Sequence, residues 1–215
     1  MGPAIAGRFV HIPILREMEN RKLDFLWAAM SFGLAVITWR SALGEAYSPI
    51  WLFVALDVQS GIIFAVRQPA RCSSRRPLEV LITLISLTYI FAFKPVPISA
   101  APFAVTGDLI AAGGALLTLV SVQCLGRSFA VLPSLRDIRT SGMYRLVRHP
   151  IYLSYVITAL GILLRHLTFY NSGIALAGVV LLMWRIKFEE RLLAQEGTYR
   201  DYMDLVRYRL IPGVY

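Results

Sequence analysis

The chain has 215 residues, of which 57% are apolar and only 16% charged, with a formal net charge of +9. Soluble domains are roughly a quarter charged, so this composition excludes a soluble fold, and the length leaves no room for a sizeable soluble domain. The arginines flank apolar runs and do not line an aromatic soluble face, which makes anionic lipid headgroups the expected counterpart and argues against nucleic acid.

The expected class is all-α: a polytopic transmembrane helical bundle forming a single membrane-embedded domain over 1–215. Residues 1–24 form a mixed-charge segment with Pro3 and Pro13, expected in the cytosol or at the interface. Met1-Gly2 opens like a myristoylation signal, but Ala6 stands where Ser or Thr is required. The first apolar span is predicted at 25–43. Ala42-Leu43-Gly44 mimics a signal-peptidase site, yet the run is long for a signal sequence and its leader carries three acids, so an uncleaved helix is expected. The second span, 49–66, holds Asp57 and Gln59 near its middle, where polar side chains are costly unless they face other helices. A packing contact between helices is the first expectation for them, and substrate or proton handling the second.

A basic loop follows with Arg67, Arg71, Arg75 and Arg76. The third span, 78–93, ends in the Lys94-Pro95-Val96-Pro97 turn. The fourth, 103–125, has Gly113-Gly114 in its middle, where close helix approach or a bend is expected. Asp108, near its start, is expected to cap the helix or face water. These four spans, 25–125, read as a scaffold.

Residues 126–147 are the longest polar connection and carry Arg127, Arg136, Arg139 and Arg145. The fifth span, 150–164, opens with Pro150, whose missing N–H costs nothing in a helix first turn. Arg148 and His149 are therefore held just outside that helix. The sixth span, 172–184, is also short for a bilayer that needs about twenty residues. The turn between them, 165–171, is tight, so a close helical hairpin is predicted. Such a hairpin returns Phe188-Glu189-Glu190-Arg191 to the edge where Arg148 and His149 stand. Residues 195–215 form a polar, aromatic, cytosolic tail, after about six membrane segments in all.

Orientation follows from the cations. Alternating loops place 19 of the 22 Lys and Arg on one side and three on the other, and the positive-inside rule makes the rich side cytoplasmic. Both termini, Arg148-His149 and Glu189-Glu190 then face the cytosol. Cys72 and Cys124 fall on that reducing side, so no disulfide is implied. His11, His149 and His166 fit no zinc-ligand spacing, and no metal is expected. There is no phosphate-binding glycine loop, nucleophile elbow or internal repeat.

The two polar clusters share a chemistry. Guanidinium groups bind carboxylates in bidentate fashion, an imidazole exchanges one proton, tyrosine rings cover cationic surfaces, and paired carboxylates hold an ammonium group or ribose hydroxyls. That inventory suits a zwitterionic, adenosine-bearing ligand entering from the cytosol. Anchoring at the membrane edge by Arg, Tyr and His is the simpler alternative.

Leu125-Gly126-Arg127-Ser128-Phe129, then Ser141-Gly142-Met143-Tyr144-Arg145-Leu146-Val147-Arg148-His149-Pro150-Ile151-Tyr152, resembles the signature of the isoprenylcysteine carboxyl methyltransferase family. The wider group includes the membrane phospholipid N-methyltransferases. The likeness continues through Glu189-Glu190-Arg191-Leu192-Leu193, Gly197, Tyr199, Tyr202 and Arg209-Leu210-Ile211-Pro212-Gly213. It implies an integral membrane methyltransferase that uses S-adenosylmethionine, its cofactor-binding half lying at 126–215. The resemblance gives His149, Tyr152 and Glu190 as cofactor-binding residues, with backbone contacts from Leu146 and Val147. Arg148 is carried over as a binder of a carboxylate or lipid phosphate and Glu189 as an orienting acid; with His149 they form the catalytic group. Ser154 keeps the small volume found two positions beyond the motif tyrosine. The resemblance further implies a lipophilic methyl acceptor, a prenylcysteine-like carboxylate or a lipid headgroup, and a prokaryotic inner membrane is the expected location. An amine or thiol acceptor would need deprotonation, with His149 or a carboxylate as the base. Two other readings are a nicotinamide-dependent membrane reductase, since sterol reductases resemble this family in their C-terminal halves, and a non-catalytic membrane protein that keeps the fold.

Overall fold

The computed structural model describes residues 14–43, 50–67, 72–73, 76–97 and 102–214. Among them are seven α-helices: α1 (Ile14–Ala42), α2 (Ile50–Val66), α3 (Pro77–Thr88), α4 (Ala104–Leu125), α5 (Pro150–Arg165), α6 (Phe169–Leu193) and α7 (Gly197–Leu205). Two short strands, β1 (Cys72–Ser73) and β2 (Ser134–Leu135), pair antiparallel. The fold is mostly helical, as the composition requires. Two stretches are long and apolar enough to cross a membrane, Ala104–Ser128 and Phe169–Leu193; Ile50–Val66, Pro77–Ala92 and Pro150–Arg165 are apolar but shorter.

Several boundaries differ from those read in the sequence. α1 starts at Ile14 and carries the mixed-charge stretch into the helix, because Glu, Arg and Lys are themselves good helix formers. α3 ends at Thr88 and tightens into a 3-10 turn, Tyr89–Ala92. Hydroxyls of Thr83, Ser86 and Thr88 bond back to Glu79, Thr83 and Leu84 carbonyls, a competition that bends and weakens helices. α6 runs to Leu193, so the charged run after Trp184 is helical. Residues 1–13, Gly44, and the middle of the basic loop with Arg71 and Arg75 lie outside the described residues.

The helix faces are inverted relative to a soluble protein. α4 buries Gly107, Ala111, Gly114, Ala115, Thr118 and Ser121 and exposes Val105, Leu109, Leu116 and Val120. α6 buries Asn171, Arg185 and Glu190 while Leu176, Val180 and Trp184 point outward. Apolar outside and small or polar inside is the arrangement that lipid favours.

α4 lies closest along α5, and small residues allow it. A β-carbon at Gly114 would sit 2.6 Å from the Thr158 backbone nitrogen, and one at Gly107 would sit 2.6 Å from the Gly161 carbonyl oxygen. The Gly113-Gly114 pair thus marks close approach, with Gly114 at the contact and Gly113 facing open space. Thr118 and Ser154 share a hydroxyl contact of 2.7 Å across the same seam. Asp108 neither caps α4 nor stands free, as it forms an ion pair with Arg165. Both mid-helix polar residues of α2 make interhelical contacts: Asp57 accepts from Thr38 at 3.0 Å, and Gln59 donates to the Leu119 carbonyl at 3.0 Å.

The connections gather at two ends. At one, Asn171 bonds both the Lys94 amide and carbonyl at 2.9 Å, and the Val96 amide donates to His166 Nδ1 at 3.0 Å. At the other, Arg67 pairs with Asp24, Arg127 donates to the Val66 carbonyl at 2.9 Å, and β1 meets β2.

Candidate active site

The site begins where a loop becomes α5. Pro150 starts the helix and His149 is its N-cap residue, with φ −128° and ψ 62°, outside helical values. Two backbone bonds hold the preceding dipeptide: the amides of Arg148 and His149 each donate at 2.9 Å, to the carbonyls of Tyr208 and Arg209. The tail reaches that position through α7, whose Tyr199 and Tyr202, with Val206 one turn beyond, form one buried stripe against Tyr144. The Tyr202 hydroxyl donates to the Tyr144 carbonyl at 2.7 Å.

Glu190 is the ionic centre. Its Oε1 lies 2.9 Å from Arg148 Nε and 3.2 Å from His149 Nε2, and its Oε2 accepts from Arg209 Nε at 2.8 Å. The Arg148 Nε–H does not point along its contact, so that attraction is Coulombic; the same guanidinium donates through Nη1 to the Val206 carbonyl at 3.3 Å. A carboxylate flanked by two guanidiniums accepts only, so His149 Nε2 is the donor in their contact. This buried group ties the start of α5, the end of α6 and the tail together.

Beside it opens a cleft enclosing about 770 Å³ of empty space, its mouth included. Five tyrosines line it (144, 152, 155, 199 and 202), with Arg148, His149 and Glu189 among the polar walls. Tyr152 donates its hydroxyl to Glu189 and stacks on His149 with centroids 5.3 Å apart and planes at 16°. Burial pushes the phenols of Tyr144, Tyr199 and Tyr202 up; nearby Glu189 adds to this for the first two, and Arg148 opposes it for Tyr202. These phenols therefore stay protonated and serve as donors and ring faces, not as bases. Three buried polar atoms on the cleft wall, Ser128 Oγ, Arg136 Nη1 and Tyr199 Oη, find no partner among the described residues.

Four of the residues singled out from sequence, Arg148, His149, Tyr152 and Glu189, line the cleft. Glu190 stands behind His149 and is not part of the wall, Val147 is buried at 2% exposure, and Leu146 is 60% exposed; none of these three lines the cleft. Sequence reasoning gave no site role to Arg185, to Arg136 in the long connection or to Arg209, which stands in the family likeness. Arg185 carried a usable signal, a cation at the very end of an apolar run, whereas the likeness that includes Arg209 did not say what it holds.

Orphaned donors, protonated tyrosine faces and an adjacent imidazole suit a polar ligand. The architecture is that of a helical bundle of membrane-protein composition, with the buried Glu190 ionic centre beside its cleft. Residues 103–199 match the phospholipid methyltransferase family model, which agrees with the resemblance carried by the Arg-His-Pro and Glu-Glu motifs and points to a methyltransferase. The matched stretch runs from the start of α4 into α7 and stops short of Arg209. No curated protein matches the chain.

Proposed function

We propose that the chain is an S-adenosylmethionine-dependent membrane methyltransferase acting on a lipophilic acceptor at the cytosolic face. What carries the reading is that the motif residues His149 and Tyr152 meet the acids Glu189 and Glu190 beside one cleft, inside the stretch that matches the family. The reductase and the non-catalytic readings gain nothing from that match.

S-adenosylmethionine, when bound, supplies a methyl group activated by a sulfonium. The chain's part is to position and to exclude water. Tyr152 and its neighbours present ring faces, and Glu189 fixes the Tyr152 hydroxyl. Glu190 holds His149 and Arg148 in place and touches the ligand through them. A carboxylate acceptor needs no base; an amine would need one, and His149 on the cleft wall is the candidate. The bundle forms one membrane-embedded domain of about six segments with both termini cytosolic, α5 and α6 forming the hairpin and the half from 126 onward holding the cofactor. The acceptor arrives from the bilayer.

Calorimetry on the purified protein tests this. S-adenosylhomocysteine should bind and NADPH should not, and His149→Ala should weaken binding by about ten- to a hundred-fold, the worth of a hydrogen bond to a charged group. NADPH binding without S-adenosylhomocysteine binding would transfer the reading to the reductase.

A further inference from the structure

The guanidinium of Arg185 has no role in the site as described. It is 3% exposed and lies over the Tyr152 ring at 5.0 Å. Its Nη2 donates to the Val131 carbonyl at 2.6 Å, while Nη1 has only a long contact of 3.5 Å with Ser86 Oγ and Nε finds no partner. Among the described residues no carboxylate forms an ion pair with it. Glu189, one turn further along α6, takes the Tyr152 hydroxyl, and Glu190 is held by Arg148, His149 and Arg209. A buried cation without an anion is strongly disfavoured, and one inside a helix long and apolar enough to cross a membrane marks a functional position.

Its surroundings say which ligand. Arg185 lines the tyrosine cleft, and Ser86, which it touches, lines a second cavity. That cavity holds about 990 Å³ of empty space, its open side included, and is walled largely by apolar side chains such as Phe53, Leu87, Ile90, Val156 and Leu182. Tyr155 borders both spaces. A polar cleft and an apolar chamber therefore adjoin at Tyr155 and at the Arg185–Ser86 contact.

We propose that Arg185 binds the anionic group, a carboxylate or a phosphate, of an amphiphile whose hydrocarbon chain occupies the apolar chamber. The unused Nε–H and the loosely held Nη1 supply the donors, and a guanidinium suits either anion. That this amphiphile is the methyl acceptor rests on the methyltransferase reading; the binding site does not.

The test is equilibrium binding to the purified full chain in neutral detergent, with three probes of equal chain length: hexadecanoate, hexadecyl phosphate and hexadecanol. At least one anion should bind about tenfold or more tightly than the alcohol, and the tighter anion identifies the headgroup. Arg185→Gln should reduce the preference to within about twofold, and Arg185→Lys should keep only part of it, since an ammonium lacks the planar fork. Leu87→Trp, which fills the chamber, should weaken all three probes about tenfold and leave the preference intact. S-adenosylhomocysteine affinity on the same preparations separates the two readings. Anion preference through Arg185 in a protein that does not bind S-adenosylhomocysteine upholds the amphiphile site and removes its methyltransferase role. Equal binding of anions and alcohol, no binding of any probe, or a preference that survives Arg185→Gln overturns the proposal. Should Arg185→Gln fail to fold, an unchanged preference in Arg185→Lys overturns it equally.

Discussion

The α1–α2 pair and the α4–α5 pair are both antiparallel-read, apolar and glycine-bearing, yet they are joined differently. α1 and α2 meet through side chains: Trp27 stacks on Phe64 at 6.1 Å, Thr38 reaches Asp57, and Arg67 pairs with Asp24. A β-carbon at Gly61 would meet the Phe32 ring first, at 2.9 Å, and a ring on an exposed residue can turn away. α4 and α5 meet backbone to backbone, with Gly107 and Gly114 against Gly161 and Thr158. Side-chain seams adapt; backbone seams do not. The rigid seam belongs to α5, and α5 is the helix that begins at His149 and Pro150. The candidate site is built on the more closely packed of the two seams.

The largest effect should come from removing the shared anion. Glu190→Ala leaves Arg148, Arg209 and His149 facing one another, two of them buried, and loss of one partner from a buried ion cluster costs about 3–5 kcal/mol. Unfolding in detergent should show it as a large drop in midpoint. A loss no greater than that of a surface residue would mean the ionic centre does not hold the tail and helices together.

Next is the seam itself. Gly114→Val should destabilise by about 1–3 kcal/mol, the usual range for overpacking, and should lower S-adenosylhomocysteine affinity with it. Its neighbour Gly113 has nothing within 4 Å of a β-carbon, so Gly113→Ala should gain about 0.4–1 kcal/mol by restricting the unfolded chain. Equal effects at the two positions would erase the difference between backbone and side-chain seams. A smaller loss is expected for Tyr202→Phe, which removes one neutral hydrogen bond to the Tyr144 carbonyl and should cost about 1 kcal/mol. The tail should remain docked, as judged by protease resistance beyond Leu205.

The smallest effect should fall in the N-terminal pair. Asp57→Asn keeps an oxygen for Thr38 to donate to and removes a half-buried charge, so stability should stay level or rise by about 1 kcal/mol. A loss approaching that of Glu190→Ala would put a second ionic centre in α2 and end the contrast.

By itself the sequence determined the helical class, since a chain 57% apolar and 16% charged can satisfy its backbone in lipid only within helices or a closed barrel, and its apolar runs have helix lengths. It also determined that Pro150 opens a helix, which holds Arg148 and His149 at the entrance by local stereochemistry, and that the Glu189-Glu190 pair, one short helical return later, can come back to them. Which acid does what was not legible. Adjacent residues on a helix point about 100° apart, and only the packed structure shows Glu189 on the cleft and Glu190 behind His149. The pairing of Arg209 with Glu190 was not legible either, because its place depends on α7 and on two amides of the Arg148-His149 segment that the tail satisfies. Helix ends were misplaced wherever charged or hydroxyl residues continue or weaken a helix against the hydropathy signal, at Ile14, Thr88 and Leu193. Patterns along a chain record what each residue needs; which neighbour meets that need is a property of the packed bundle.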